Sequence, residues 1–154
     1  MNAMLKPNHL LRPMQDADLN EVMCIEPHIY SHPWTRGNFA DSLNSGHSAW
    51  VLLLNGELIG YTLMMLVLDE AHLLNISVAK MHQKQGWGRV LLEFMLDKAK
   101  HYKAANMFLE VRSSNVDAIA LYENMGFNEM SVRRGYYPAP NGGREDAVLM
   151  GLAL

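Results

Sequence analysis

An apolar run ending at Ile76-Ser77-Val78-Ala79 is followed by Gln83-Lys84-Gln85-Gly86-Trp87-Gly88-Arg89 and then directly by an apolar helical pattern. A strand, a glycine turn and a helix N-terminus in that order set a concave row of backbone N–H groups against the positive end of a helix dipole, an arrangement suited to a phosphate or pyrophosphate. Gly86 and Gly88 let the backbone approach an anion that side chains would hold away, and Lys84 and Arg89 add positive charge. The same two glycines also serve a plain tight turn between strand and helix, and the segment alone does not choose between the two readings. Two common phosphate motifs are missing. There is no Gly-x-x-x-x-Gly-Lys-Ser/Thr run, and Leu91 stands where a dinucleotide fingerprint needs its third glycine.

Other chemistries find less support. The single cysteine, Cys24, makes neither an intramolecular disulfide nor a thiolate metal site, which points to a reducing compartment; it is expected as a small buried apolar residue. No metal site is expected of the seven histidines, and the twelve methionines are expected to fill the core. Thirteen Lys and Arg against sixteen Asp and Glu give a net charge of -3, opposite in sign to the footprint of a general nucleic-acid binder. Residues 1–9 lack the apolar stretch of a signal peptide. The longest apolar run, Ile59 to Leu68, is interrupted by Gly60, Tyr61 and Thr62 and falls short of the ~20 residues a membrane span needs. A cytoplasmic protein, monomer or weak dimer, with no membrane and no nucleic-acid partner, is the expectation.

The elements that carry the glycine turn follow from periodicity. With 154 residues, 49% hydrophobic and 19% charged, and no linker or repeat, the chain is expected to form one domain over residues 1–154. His9 to Arg12 reads as a strand ended by Pro13; Asp16 or Asp18 caps a helix carrying Leu19, Val22, Met23 and Ile25, with Pro27 near its end. After a turn at Ser31 to Trp34, Thr35 caps a second short helix reaching Leu43. Trp50 to Leu54 and Leu58 to Leu68 form a hairpin through Asn55-Gly56, two residues that tolerate the positive φ of a type I′ turn. Ala71 to Val78 is a further strand, Gly86 to Lys100 an amphipathic helix, Met107 to Val111 a strand, and Asn115 opens a helix that Gly126 stops. Phe127 to Tyr137 and Asp146 to Leu152 are the last strands, around a loop at Pro138 to Gly143. The order predicts a mixed α/β fold of the α+β kind, a mostly antiparallel twisted sheet flanked by helices.

Gln-x-x-Gly-x-Gly at Gln83 to Gly88, after a strand and opening a helix, resembles the acetyl-CoA pyrophosphate loop of the GCN-five-related N-acetyltransferases, the GNAT family. Glu110-Val111-Arg112 followed by Ser114-Asn115, then Ala120-Leu121-Tyr122 and Gly126-Phe127, is similar to that family's second half. Further motifs resemble one bacterial branch, the ribosomal-protein-alanine N-acetyltransferases: Pro33-Trp34 after Glu26 and Tyr30, His72 to Ile76, Asn115 to Asn128, and Tyr136-Tyr137-Pro138 with Gly143 to Ala147. Together they span about Leu11 to Leu152. Gln83 departs from the pattern, standing where many relatives carry Arg, and Met81-His82 replaces a Pro-containing turn.

The resemblance implies a GNAT fold with acetyl-CoA as co-substrate and no metal. It implies that Ile76, Ser77 and Val78 offer strand-edge backbone groups to the pantetheine arm, that Lys84, Gln85, Gly86, Trp87, Gly88 and Arg89 cradle the pyrophosphate, and that Asn115 hydrogen-bonds the cofactor. Glu110 is implied as general base and Tyr122 as general acid, with Tyr30, Trp34 and Tyr137 flanking the acceptor. The chemistry agrees with these types. Transfer from a thioester to an amine requires an ammonium to lose a proton and a leaving thiolate to gain one; a carboxylate at a strand end does the first, a phenol the second. An α-amine titrates roughly 2.5 units below lysine, about 3.4 kcal/mol less to deprotonate, which favours a protein N-terminus as acceptor. The resemblance thus implies acetylation of the N-terminal alanine of a small-subunit ribosomal protein, the eighteenth, by direct transfer in a ternary complex. Lysine, a polyamine or another small amine remains the alternative acceptor, and a non-catalytic acyl-CoA-binding module the alternative of another class.

Overall fold

The computed structural model describes residues 8–154. Seven strands form one sheet: β1 (His9–Pro13), β2 (Ser48–Leu54), β3 (Glu57–Val67), β4 (Glu70–Val78), β5 (Asn106–Arg112), β6 (Asn128–Pro138) and β7 (Arg144–Ala153). Four helices join them: α1 (Leu19–Ile29), α2 (Arg36–Asn44), α3 (Trp87–His101) and α4 (Val116–Asn124). The spatial order is β1-β2-β3-β4-β5-β7-β6. Every neighbouring pair is antiparallel except β4 and β5, which the α3 crossover makes parallel.

Local chemistry sets the boundaries where the sequence places them. Asn55 and Gly56 both take positive φ, +50° and +86°, and the β2–β3 hairpin turns there. Thr35 Oγ1 accepts the Asn38 backbone N–H at 3.1 Å and caps α2. Asn115 Oδ1 accepts from the Ala118 backbone N–H at 3.3 Å and caps α4. Gly126 ends that helix at φ +102°.

Helices α3 and α4 cover one face of the sheet. Leu92, Met95, Leu96 and Ala99, spaced along one side of α3, pack with Leu73 of β4 and Met107, Leu109 and Val111 of β5. On the other face α1 and α2 cover the β2–β3 half, where Val22, Ile25 and Phe39 enclose Val51, Tyr61 and Leu63. Burying side chains of this size stabilises the fold by about 2 kcal/mol each. Met64, Met95, Met107 and Met150 are core residues as expected, whereas Met81 and Met130 are exposed. The expectation for Cys24 is corrected: it lies on the solvent side of α1, between the buried positions Val22 and Ile25, and is exposed.

Candidate active site

The β4–β5 ladder ends at Leu73 opposite Leu109. Beyond that point β4 continues to Val78 beside β3, displaced by a bulge at Leu74, and β5 continues to Arg112 beside β7. The two strands part, and the gap between them opens into a cavity of about 280 Å3 lined by residues of both strands and of α1 and α4.

Alternation along β5 assigns its side chains. Met107, Leu109 and Val111 face the core under α3 and α4, so Phe108, Glu110 and Arg112 project from the opposite face. Glu110 lines the gap, and its Oε2 atom is buried. Arg133 Nε lies 3.2 Å from that oxygen, but out of line for a hydrogen bond, so the carboxylate has a counter-charge and a vacant acceptor position. Tyr122 reaches the same cavity from α4 and is 5% exposed. Burial, followed by the neighbouring Tyr30 and Tyr137, pushes its phenol well above its ordinary value, so it stays protonated at neutral pH. A half-buried carboxylate that can accept a proton and a buried phenol that can give one thus line one cavity, approached from the two faces of the sheet.

The β4 side carries a polar network that the sequence reading passes over. Glu26, 1% exposed, accepts the Tyr61 hydroxyl at 2.6 Å and Asn75 Nδ2 at 3.4 Å through Oε1, and the Trp34 backbone N–H at 3.0 Å through Oε2. Ser77 Oγ donates to Asn75 Oδ1 at 2.6 Å and lies 2.7 Å from the Tyr30 hydroxyl, which donates to the Ile76 carbonyl at 3.0 Å. Burial, opposed by the bond to Ser77, leaves the Tyr30 phenol pushed up to about 12. Tyr30 therefore braces the strand edge of β4, while Trp34 leans on Phe39 with ring centroids 4.9 Å apart and shares the cavity wall. A signal for Glu26 was present in the sequence: with Leu19 and Val22 it falls on the helical stripe that α1 turns inward, where a carboxylate requires partners.

At the start of α3, Gly86 is the N-cap with φ +92°, and a side chain there would meet nothing within 4 Å. Lys84 (φ +63°) and Gln85 are exposed beside it, and Gly88 lines the cavity. Trp87 instead turns into the core, edge-on to His9 with centroids 5.3 Å apart, leaving only its backbone on the outside. Arg89 pairs along the helix with Glu93 at 3.4 Å, and Gln83 Nε2 donates to the Val78 carbonyl at 3.0 Å. An open turn at a helix N-terminus is the setting in which backbone N–H groups can bind an anion.

The far wall is fixed by Arg112, a second residue that sequence reasoning did not select. Its Nη1 donates to the Pro138 carbonyl at 2.7 Å and to Glu145 Oε1 at 2.8 Å, and its guanidinium sits 4.5 Å from the centre of the Tyr137 ring. The Arg112 bond holds the Glu145 carboxyl below its usual range. Arg112→Gln is expected to release the loop between β6 and β7: with a charge-assisted bond removed, the Ala139 and Gly143 amides should exchange hydrogen about tenfold faster by mass spectrometry.

One histidine pair was overlooked in the sequence. His28 and His32 have the i, i+4 spacing of helical metal ligands, but α1 ends at Ile29 between them. Among the described residues no group of three or more His, Cys, Asp or Glu could hold a metal ion, and no helix is long and apolar enough to cross a membrane.

Comparison with known proteins gives four results. The acetyltransferase (GNAT) family matches residues 19–127. The [ribosomal protein bS18]-alanine N-acetyltransferase of Escherichia coli (strain K12) is 41% identical over 141 residues, 92% of this chain and 95% of that protein. The protein of the same name from Haemophilus influenzae is 35% identical over 94% of this chain and 99% of its own length. The crystal structure of the ribosomal-protein-S18-alanine N-acetyltransferase from Escherichia coli superposes with a TM-score of 0.89 at 40% identity, covering 95% of this chain and 94% of that one.

Proposed function

The chain belongs to the acetyltransferase (GNAT) family, and on that footing we propose that it transfers the acetyl group of acetyl-CoA to the N-terminal alanine of ribosomal protein bS18. It is an acyltransferase of that family; the acceptor and the residue roles are our reading. The observation that carries it is the meeting of Glu110 and Tyr122 in the gap between β4 and β5. The names of relatives matched along nearly their whole length support the choice of acceptor.

Acetyl-CoA supplies the acyl group as a thioester. The residues present fit it: Ile76 and Val78 on the edge of β4, Gly88 in the first turn of α3 and Asn115 line the gap, and the open turn at Lys84 to Gly86 leads into α3. Ile76 and Val78 carbonyls already accept side-chain donors on the side away from β3, and by alternation Ser77 turns its backbone groups toward β3 and leaves its hydroxyl for Tyr30. Glu110, whose side chain is 29% exposed at the gap, takes a proton from the acceptor ammonium. The freed amine nitrogen bonds to the acyl carbon, and the carbon–sulfur bond breaks. Tyr122 gives its phenolic proton to the departing sulfur, and the nitrogen sheds its second proton as it becomes the neutral amide, which restores the phenol. No covalent intermediate on the protein is required, and Cys24, exposed on α1, takes no part. Trp34 and Tyr137, on opposite sides of the gap, flank the acceptor.

The test is mass spectrometry of acetyl-CoA with two bS18-derived peptides, one with a free N-terminal alanine and one with that amine blocked and an internal lysine free. A single acetyl group on the free α-amine alone is the expected result. Acetylation of the lysine peptide moves the acceptor to side-chain amines, and acetyl-CoA binding with neither peptide modified leaves a small amine or a binding module. Tyr122→Phe should lower turnover by about 100-fold in the same assay, with the Michaelis constant for acetyl-CoA little changed.

A further inference from the structure

The helices cover the sheet unequally. Helices α3 and α4 line one face, while α1 and α2 cover only the β2–β3 half of the other. Among the described residues no helix covers the remaining half-face, from β4 across β5 and β7 to β6. A second cavity of about 430 Å3 lies on it, a size typical of ligand clefts (about 300–1,000 Å3). It shares Glu110 and Tyr137 with the gap between β4 and β5, so the two are continuous. Its floor is apolar, formed by Phe108 and Leu149, and next to it Met130 covers Gly151, where an added Cβ would lie 2.5 Å from the Met130 sulfur.

The charges on this half-face do not balance. Glu110 faces Arg133 at 3.2 Å, and Arg112 faces Glu145 at 2.8 Å. Glu70, at the far end of the cavity, has only His72 at 2.9 Å, a partner charged only when protonated; among the described residues it pairs with no Lys or Arg. The gap is walled by Trp34 and α1 on one side and by α4 beneath, and it continues along the bare half-face toward Glu70.

We infer that this bare half-face is the track for the acceptor polypeptide beyond its first residue, and that it selects an extended segment with an apolar side chain over Phe108 and Leu149 and a cationic one at Glu70. The inference rests on the α-amine acceptor proposed above and adds a specificity residue, Glu70, that has no part in proton transfer.

The test compares peptides beginning with alanine that carry a single Arg or a single Glu at the second, third or fourth place. Wild-type protein should prefer an Arg peptide over its Glu counterpart by about tenfold in kcat/KM, and Glu70→Lys should reverse that preference. Because the readout is a ratio within each protein preparation, partial misfolding of the variant does not alter it. The same ranking in both proteins overturns the track while leaving α-amine acetylation standing. If wild-type protein acetylates no α-amine peptide, the proposed acceptor falls and the track falls with it.

Discussion

Glu110→Gln lowers kcat by about 100- to 10,000-fold at neutral pH, the span that a positioned general base contributes. The substitution keeps the side chain's size on β5 but removes its capacity to take a proton, so loss of fold is not the expected cause. The pH profile separates this role from a structural one. An α-amine titrates near 8, about one unit above neutrality, so a growing share of the acceptor arrives already deprotonated as the assay is made alkaline. The deficit of the variant should therefore shrink as pH rises from about 7 to 9. Steady-state rates for the wild-type and variant proteins across that range check it. A deficit that stays constant with pH, or no deficit at all, removes Glu110 from the proton path.

The second large effect is on stability. Glu26→Ala is expected to cost about 3 kcal/mol, since it strands the Tyr61 hydroxyl and the Trp34 backbone N–H without partners and opens a void inside α1. Tyr61 is 0% exposed, and burial together with the Glu26 carboxylate drives its phenol so far up that it serves only as a donor. For a chain of this length the thermal midpoint should fall by about 9 °C, read by circular dichroism. Glu26→Gln keeps one acceptor for Tyr61 but turns an N–H2 group toward the Trp34 N–H, so it should recover only part of the loss. A midpoint within about 2 °C of wild type for Glu26→Ala would show that the network carries no weight.

The elements most legible in the sequence are those whose signals are local. The Asn55-Gly56 turn, the Thr35 and Asn115 caps and the α3 stripe each depend on a few adjacent residues, and each forms where the periodicity places it. The site was legible as residue types around a glycine turn, and the family resemblance supplied roles for Glu110 and Tyr122. The network was not legible in the same way. Glu26, Asn75 and Tyr61 are far apart in sequence, and only the packing of α1 onto β3 and β4 makes them neighbours. Arg112 and Glu145 likewise meet only because β5 and β7 are adjacent in the sheet. Cys24 was misjudged because its neighbours in sequence are apolar, while the helical turn, not the neighbourhood, decides which side of α1 faces inward.

The β4–β5 ladder, from Glu70 to Leu73 on one side and Asn106 to Leu109 on the other, is the shortest in the sheet. It is also the joint between β4, along whose edge the acyl donor is proposed to lie, and β5, which carries Glu110. A sheet breathes most easily at its weakest seam. Small opening motions are therefore expected at this seam, and a substitution that lengthened the ladder should stiffen the enzyme where a long, flexible co-substrate is proposed to enter and leave.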